Sequence, residues 1–150
     1  MAYLLDENDQ PITGFQGWLV KVGPNLTLVP TTMIKAETYK VSPNQRMEES
    51  AERDASGVLW RETVPNMPPK IEFETPPSYD AEVNALNAIF RNAFSNADER
   101  KLKVAFYDPE ENVYKTWDCY MPNIDFPIRT IDIDEKTIFY DGIRYAFIGY

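Results

Sequence analysis

Histidine is absent from the 150 residues, and cysteine occurs once, as Cys119. The first absence excludes Ser–His–Asp and Cys–His catalysis and every zinc site that needs imidazole. The second excludes an intrachain disulfide. Glycine is scarce at 6 residues, too few for a nucleotide-cradling loop, and no G-x-x-x-x-G-K-[ST], G-x-G-x-x-G or H-E-x-x-H pattern occurs. No run approaches the ~18 apolar residues of a membrane helix, so no membrane partner is expected. The opening MAYLLDENDQ lacks a basic region and turns acidic at Asp6. That is unlike a Sec signal peptide, and synthesis in a cytoplasm is expected. Positive charge is also short, with 15 basic against 24 acidic residues and a net of −9. Duplex DNA and anionic membranes are bound through Lys/Arg clusters. The densest basic stretch, Arg100-Lys101-Leu102-Lys103, follows directly on Asp98 and Glu99. It is the solvated entrance to a strand rather than a phosphate site.

What is present suffices for one packed domain over 1–150: of all residues 43% are hydrophobic, 13% aromatic and 26% charged. Prolines and turn residues cut the chain into short pieces. Residues 1–16 are polar, with a turn-like run at Asp6–Pro11, and are expected to form an arm that is mobile or lies on a neighbour. GWLVKV and NLTLV, split by Gly23-Pro24-Asn25, predict a hairpin over 17–29. MIKAETYKVS predicts a strand over 33–42. The most polar stretch, 42–57, predicts a long loop, either solvated or in contact with another subunit, where Arg46, Glu48, Glu49, Glu52, Arg53 and Asp54 offer charge of both signs.

Lys70–Thr75 alternates as a strand, closed by Pro76-Pro77. The period then changes from two to about 3.6. Ser78 or Asp80 is placed to cap a helix over 81–94, with Val83, Leu86, Ile89, Phe90, Ala93 and Phe94 on one stripe and Asn84 and Asn87 on the outer face. KLKVAFYD and VYKTWDCYM flank a turn opened by Asp108, TIDID forms a short strand, and Asp141-Gly142 predicts a tight hairpin between TIFY and IRYAFIGY. Seven to nine strands and one helix follow. The fold class is mainly β: an antiparallel β-sandwich or flattened barrel with one flanking α-helix.

Chemistry has few candidates. None of Ser42, Ser50, Ser56, Ser78 and Ser95 lies in a G-x-S-x-G elbow. Cys119 has no basic neighbour to lower its pKa and is read as packed. Asp125, Asp132, Asp134 and Glu135 lie close together, and Asp132 and Asp134 are expected to share a strand face, as a solvent face rather than a calcium site. An acid-pair glycosidase with sugar-stacking Trp18, Trp60 and Trp117 is conceivable chemically, but no pair of acids is marked. The chain is expected to be no enzyme, with no catalytic, cofactor-binding or metal residues and no cofactor.

One pattern runs over residues 42–121. It opens with a polar segment ending in Gly57-Val58-Leu59-Trp60-Arg61, followed by the alternating Lys70-Ile71-Glu72-Phe73. A short helix with Leu86 and Ile89 inside comes next, then Tyr107-Asp108-Pro109, and a partner strand with Tyr114-x-Thr116 closing near Cys119-Tyr120. This half of the chain resembles the small tail proteins of tailed bacteriophages, of the tail-tube, distal-tail and minor tail type. The resemblance implies two packed antiparallel sheets, a flanking helix and a long loop reaching a neighbouring subunit. It also implies a homo-oligomeric ring, of six in such families, around a channel through which DNA passes without specific binding. Other tail proteins would be its partners and the virion tail its location. Tube, tip adaptor and completion protein all remain open. A net negative charge suits a lumen that repels DNA. The alternative is a carbohydrate- or protein-binding β-sandwich module.

Overall fold

Two eight-residue strands, β10 (Lys101–Asp108) and β11 (Val113–Tyr120), form the spine of the fold. They pair in register from Lys101↔Tyr120 to Asp108↔Val113. The turn between them is organised by Asp108, whose Oδ1 accepts hydrogen bonds from the backbone N–H groups of Glu110 and Glu111. The computed structural model describes residues 2–46, 48–63 and 67–150, with side chains for all of these except 2, 48–52 and 60–63.

Around the spine lies a nine-stranded antiparallel sheet. On one side of β10 are β2 (Val20–Val22) and β3 (Thr27–Leu28); beyond β11 come β14 (Arg144–Gly149), β7 (Lys70–Glu74) and β4 (Lys40–Ser42). The short β1 (Ala2–Tyr3) and β9 (Phe94–Asn96) attach to β11 and β10. A three-stranded sheet holds β8 (Ser78–Tyr79), β13 (Thr137–Tyr140) and β12 (Ile128–Asp132), and β5 (Glu48–Arg53) pairs with β6 (Leu59–Thr63) as a separate hairpin. With the single helix α1 (Asp80–Ala93), the fold is mainly β, antiparallel, with one flanking helix.

Alternation explains the core. Leu102, Val104 and Phe106 of β10, Cys119 of β11, Ile71 and Phe73 of β7, and Tyr145 and Phe147 of β14 are buried together. The β11–β14 pairing is brief, joining only Cys119↔Gly149 and Tyr120↔Ile148. At this seam the sheet changes direction and its halves face one another. Gly149 sits there because a Cβ would come 2.6 Å from Pro69 Cδ. Gly23, in the β2–β3 turn at φ +82°, faces the end of α1, where a Cβ would come 3.0 Å from Ala93.

Several sequence expectations are corrected. Residues 2–16 are not a free arm. They fold back around an Asp6-capped turn and hydrogen-bond along β11, with Leu4 N–H donating to the Tyr114 carbonyl and Tyr114 N–H to the Ile12 carbonyl. The strand expected over 33–42 is two short 3₁₀ turns leading into β4, because neither of its faces is apolar enough to hold a strand in the sheet. The 42–57 segment is not one long loop: after Asn44 and Gln45 it enters β5, half of the separate hairpin. Among the described residues the strands number fourteen, several of them only two or three residues long.

The Asp141-Gly142 hairpin also fails. β13 pairs with β12 and β8, whereas β14 pairs with β7 and β11, so this dipeptide carries the chain between sheets. The crossing is held by Asp141 N–H on the Pro127 carbonyl and by a reciprocal pair between Thr75 and Ile143. Helix α1 begins without a side-chain cap, since Ser78 bonds to the Pro76 carbonyl instead. Asp80 and Glu82 still place negative charge in its first turn, where the helix dipole favours it.

The inner face of α1 buries Val83, Leu86, Phe90 and Ala93, with Phe90 tilted against Tyr145 at 5.1 Å and edge-on to Phe147 at 5.7 Å. Leu86→Ala is expected to cost ~2–5 kcal/mol in chemical denaturation. Asn87, expected on the outer face, accepts a 2.7 Å bond from the buried Tyr145 hydroxyl. Asn87→Ala therefore costs ~1–3 kcal/mol by stranding that hydroxyl, while Asn84→Ala on the exposed side stays within ~0.5 kcal/mol.

Candidate functional site

The inward positions of the spine are apolar until its turn-proximal end. There Asp108 continues the phase of Leu102, Val104 and Phe106, and Lys115 that of Trp117 and Cys119, with Lys115 directly opposite Phe106. Both charged residues are fully buried. Their side chains meet at 2.6 Å from Nζ to Oδ2. Asn44, two residues past β4 in the other half of the sheet, joins them. Its Nδ2 donates to Asp108 Oδ2 at 3.1 Å, and its Oδ1 accepts from Lys115 Nζ at 3.1 Å. Glu111 gives Lys115 a second carboxylate, and the Tyr3 ring lies 5.7 Å from Nζ.

Burial pushes the Asp108 carboxyl up, but the bonds from Lys115, Asn44 and the Glu110 N–H outweigh it, and the group lies below the ordinary carboxylate range. Burial likewise pushes Lys115 down, and its bonds to Asp108 and Glu111 outweigh that, leaving it above the ordinary amine value. The resting state is an ion pair. Sequence reasoning placed Asp108 only at the turn and did not single out Lys115 or Asn44. The signal was phase: Lys115 falls on the inward face of β11, whose other members Val113, Trp117 and Cys119 are apolar.

The root of the β5–β6 arm stands on this cluster. Arg46 pairs with Glu110 at 3.3 Å and also donates to the Asn44 carbonyl. Gln45 bonds to the Pro68 carbonyl through both its backbone N–H and its side chain, closing the two ends of the arm together. At the tip, Asp54 Oδ1 accepts from Ser56 and Val58, and Arg53 donates to the Gly57 carbonyl. The side chains of Glu48, Glu49, Glu52 and Trp60 lie outside the described residues.

A second feature is the outer edge of the small sheet. Every residue of β12 is exposed, and Ile131 and Ile133 are 65% and 82% exposed. They border an open groove of about 620 Å³ with Tyr79 and Phe139. Asp134 and Glu135 lie in the turn after β12, and the Asp132 carboxylate accepts the Glu135 N–H. Asp132 and Asp134 thus do not share a strand face. Among the described residues no group of three or more His, Cys, Asp or Glu side chains is placed to hold a metal ion, and no helix is long and apolar enough to cross a membrane.

The remaining candidates are engaged within the fold. Trp18 stacks on Tyr114 at 4.1 Å with Lys21 over its ring, and Trp117 donates to the Tyr150 carbonyl. Of the basic stretch, Arg100 bonds the Pro122 carbonyl, Lys101 lies over the Tyr150 ring and Lys103 is opposite Asp118. Cys119 is fully buried, and burial, helped by Asp118, pushes its thiol up to about 12.

Residues 13–150 match the family of unknown function DUF6711, and the chain belongs to it. No curated protein and no solved structure matches the chain.

Two outcomes test the buried chemistry. Lys115→Met leaves the Asp108 carboxylate buried without its cation and is expected to cost ~3–5 kcal/mol in urea denaturation, much of it recovered when Asp108→Leu is added. Cys119 is expected to resist alkylation in the folded protein and to react on unfolding, followed by mass at neutral pH.

Proposed function

We propose that this protein is a structural component of a bacteriophage tail that assembles as a homo-oligomeric ring around the DNA channel. The observation that carries this reading is the β5–β6 arm, which pairs with neither of the other sheets and whose residues 53–59 are all exposed. An arm rooted on a rigid cluster and extended away from its own sheets is suited to reach an adjacent copy. The β12 edge offers a complementary surface, since an exposed strand presents unpaired backbone groups and Ile128, Ile131 and Ile133 add apolar area. The antiparallel fold with one helix agrees with the tail-protein resemblance, and the net charge of −9 suits a channel along which DNA slides. A carbohydrate-binding module is less favoured, because Trp18 and Trp117 are committed to contacts within the fold.

Because Gln45 and Pro68 are already hydrogen-bonded, a short Gly–Ser linker can replace residues 48–63 without straining the body. That variant is expected to stay a folded monomer and to lose assembly, seen as the absence of rings or tubes in negative-stain images of particles. Ile131→Asp is expected to change monomer stability by no more than ~0.5 kcal/mol while weakening assembly. Particles holding an isolated copy without symmetry mates would overturn the reading.

A further inference from the structure

The geometry points to a covalent bond between Lys115 and Asn44: an intramolecular isopeptide formed by the protein itself, with Asp108 as the proton carrier. The three groups required for this reaction are a buried amine, a carboxamide beside it, and a carboxyl touching both. Here Lys115 Nζ is 3.1 Å from Asn44 Oδ1, and Asp108 Oδ2 is 2.6 Å from Nζ and 3.1 Å from Asn44 Nδ2. One carboxylate oxygen therefore touches the nucleophile and the leaving group together. A small movement of the lysine stem carries Nζ from the carboxamide oxygen to its carbon, within the ~3–3.5 Å of a near-attack pair. Full burial of Lys115 and Asp108, with Phe106 opposite and the Tyr3 ring alongside, keeps competing water away.

The resting ion pair becomes reactive when Lys115 passes one proton to Asp108, giving a neutral amine and a carboxylic acid. Burial favours this neutral form, because it removes two charges from the interior. The contact from Lys115 to Glu111 holds the ammonium form, and the Glu111 side chain is 43% exposed and can turn to solvent. The amine attacks Asn44 Cγ, forming the Nζ–Cγ bond. Asp108 donates its proton to Nδ2 as the Cγ–Nδ2 bond breaks and takes up a second proton from Nζ. Ammonia leaves, one hydrogen remains on the new amide nitrogen, and Asp108 ends protonated. No oxidant, metal or co-reactant enters the balance. The product ties the root of the β5–β6 arm to the turn-proximal end of β11 and replaces a buried ion pair by an amide.

The test is mass spectrometry of the purified full-length chain under denaturing conditions. The expected mass is lower than that of the sequence by one ammonia. Tryptic digestion should yield Val41–Arg46 joined through Asn44 to Val104–Arg129, uncleaved at Lys115. Full sequence mass, with free peptides 41–46 and 104–115, would overturn the proposal, as would ammonia loss mapped to any other residue. Lys115→Arg and Asp108→Asn are each expected to keep their full mass. A branched peptide persisting in folded Asp108→Asn would remove Asp108 from the step. Since either variant can fail to fold, Asn44→Asp provides a positive signature: the same branched peptide, now reached by loss of water. Absence of that peptide from folded Asn44→Asp counts against the proposal.

Discussion

A lysine and an aspartate buried against apolar strands constrain everything around them. Each ion costs several kcal/mol to desolvate, and their mutual attraction offsets this only when the remaining hydrogen-bonding capacity is also filled. Neither β10 nor β11 supplies the missing partner. Asn44 does, from the far end of the sheet, and its amide offers a donor to Asp108 and an acceptor to Lys115. The pair is therefore satisfied only when the sheet turns at the β11–β14 seam and brings β4 back over the spine. Closure of the fold and satisfaction of the ion pair are one event.

The same cluster separates a rigid body from its outward parts. On the inner side, the helix, β7 and β14 bury a continuous aromatic and aliphatic core. On the outer side, the amino-terminal segment covers Tyr107 and Tyr114 with Phe15 and Trp18, so the second face of the spine is also dry in part. The β5–β6 arm and the β12 edge share neither layer. The arm leaves the body just after Arg46, two residues past Asn44, where Arg46 is held by Glu110.

Much of the body was legible because strand and helix periods are local properties. The alternation of β7, β10 and β11, the Gly23-Pro24-Asn25 turn and the stripe of α1 all stand where the sequence predicts them. The failures share a cause. Asp141-Gly142 has the chemistry of a tight turn, yet the hydrogen bonds of Thr75 and Ile143 send β14 to a different sheet. Residues 1–16 and 42–57 are polar enough to read as free chain, yet backbone pairing needs no apolar side chains, and both segments contain strands. Asn87 was polar and on a helix, which says nothing about a buried tyrosine hydroxyl arriving from β14.

By itself the sequence determined the class of fold, the helix and its buried face, and the exclusion of histidine chemistry and disulfides, since these depend on composition and on spacing within a single element. Tertiary structure alone decided which strands share a sheet, where the arm is rooted, and that Asn44, Asp108 and Lys115 form one cluster. These residues are separated by 64 and 71 positions in their hydrogen-bonded pairs. Phase can mark a lysine as facing inward, but only long-range closure of the sheet chooses the carboxylate and the amide that receive it.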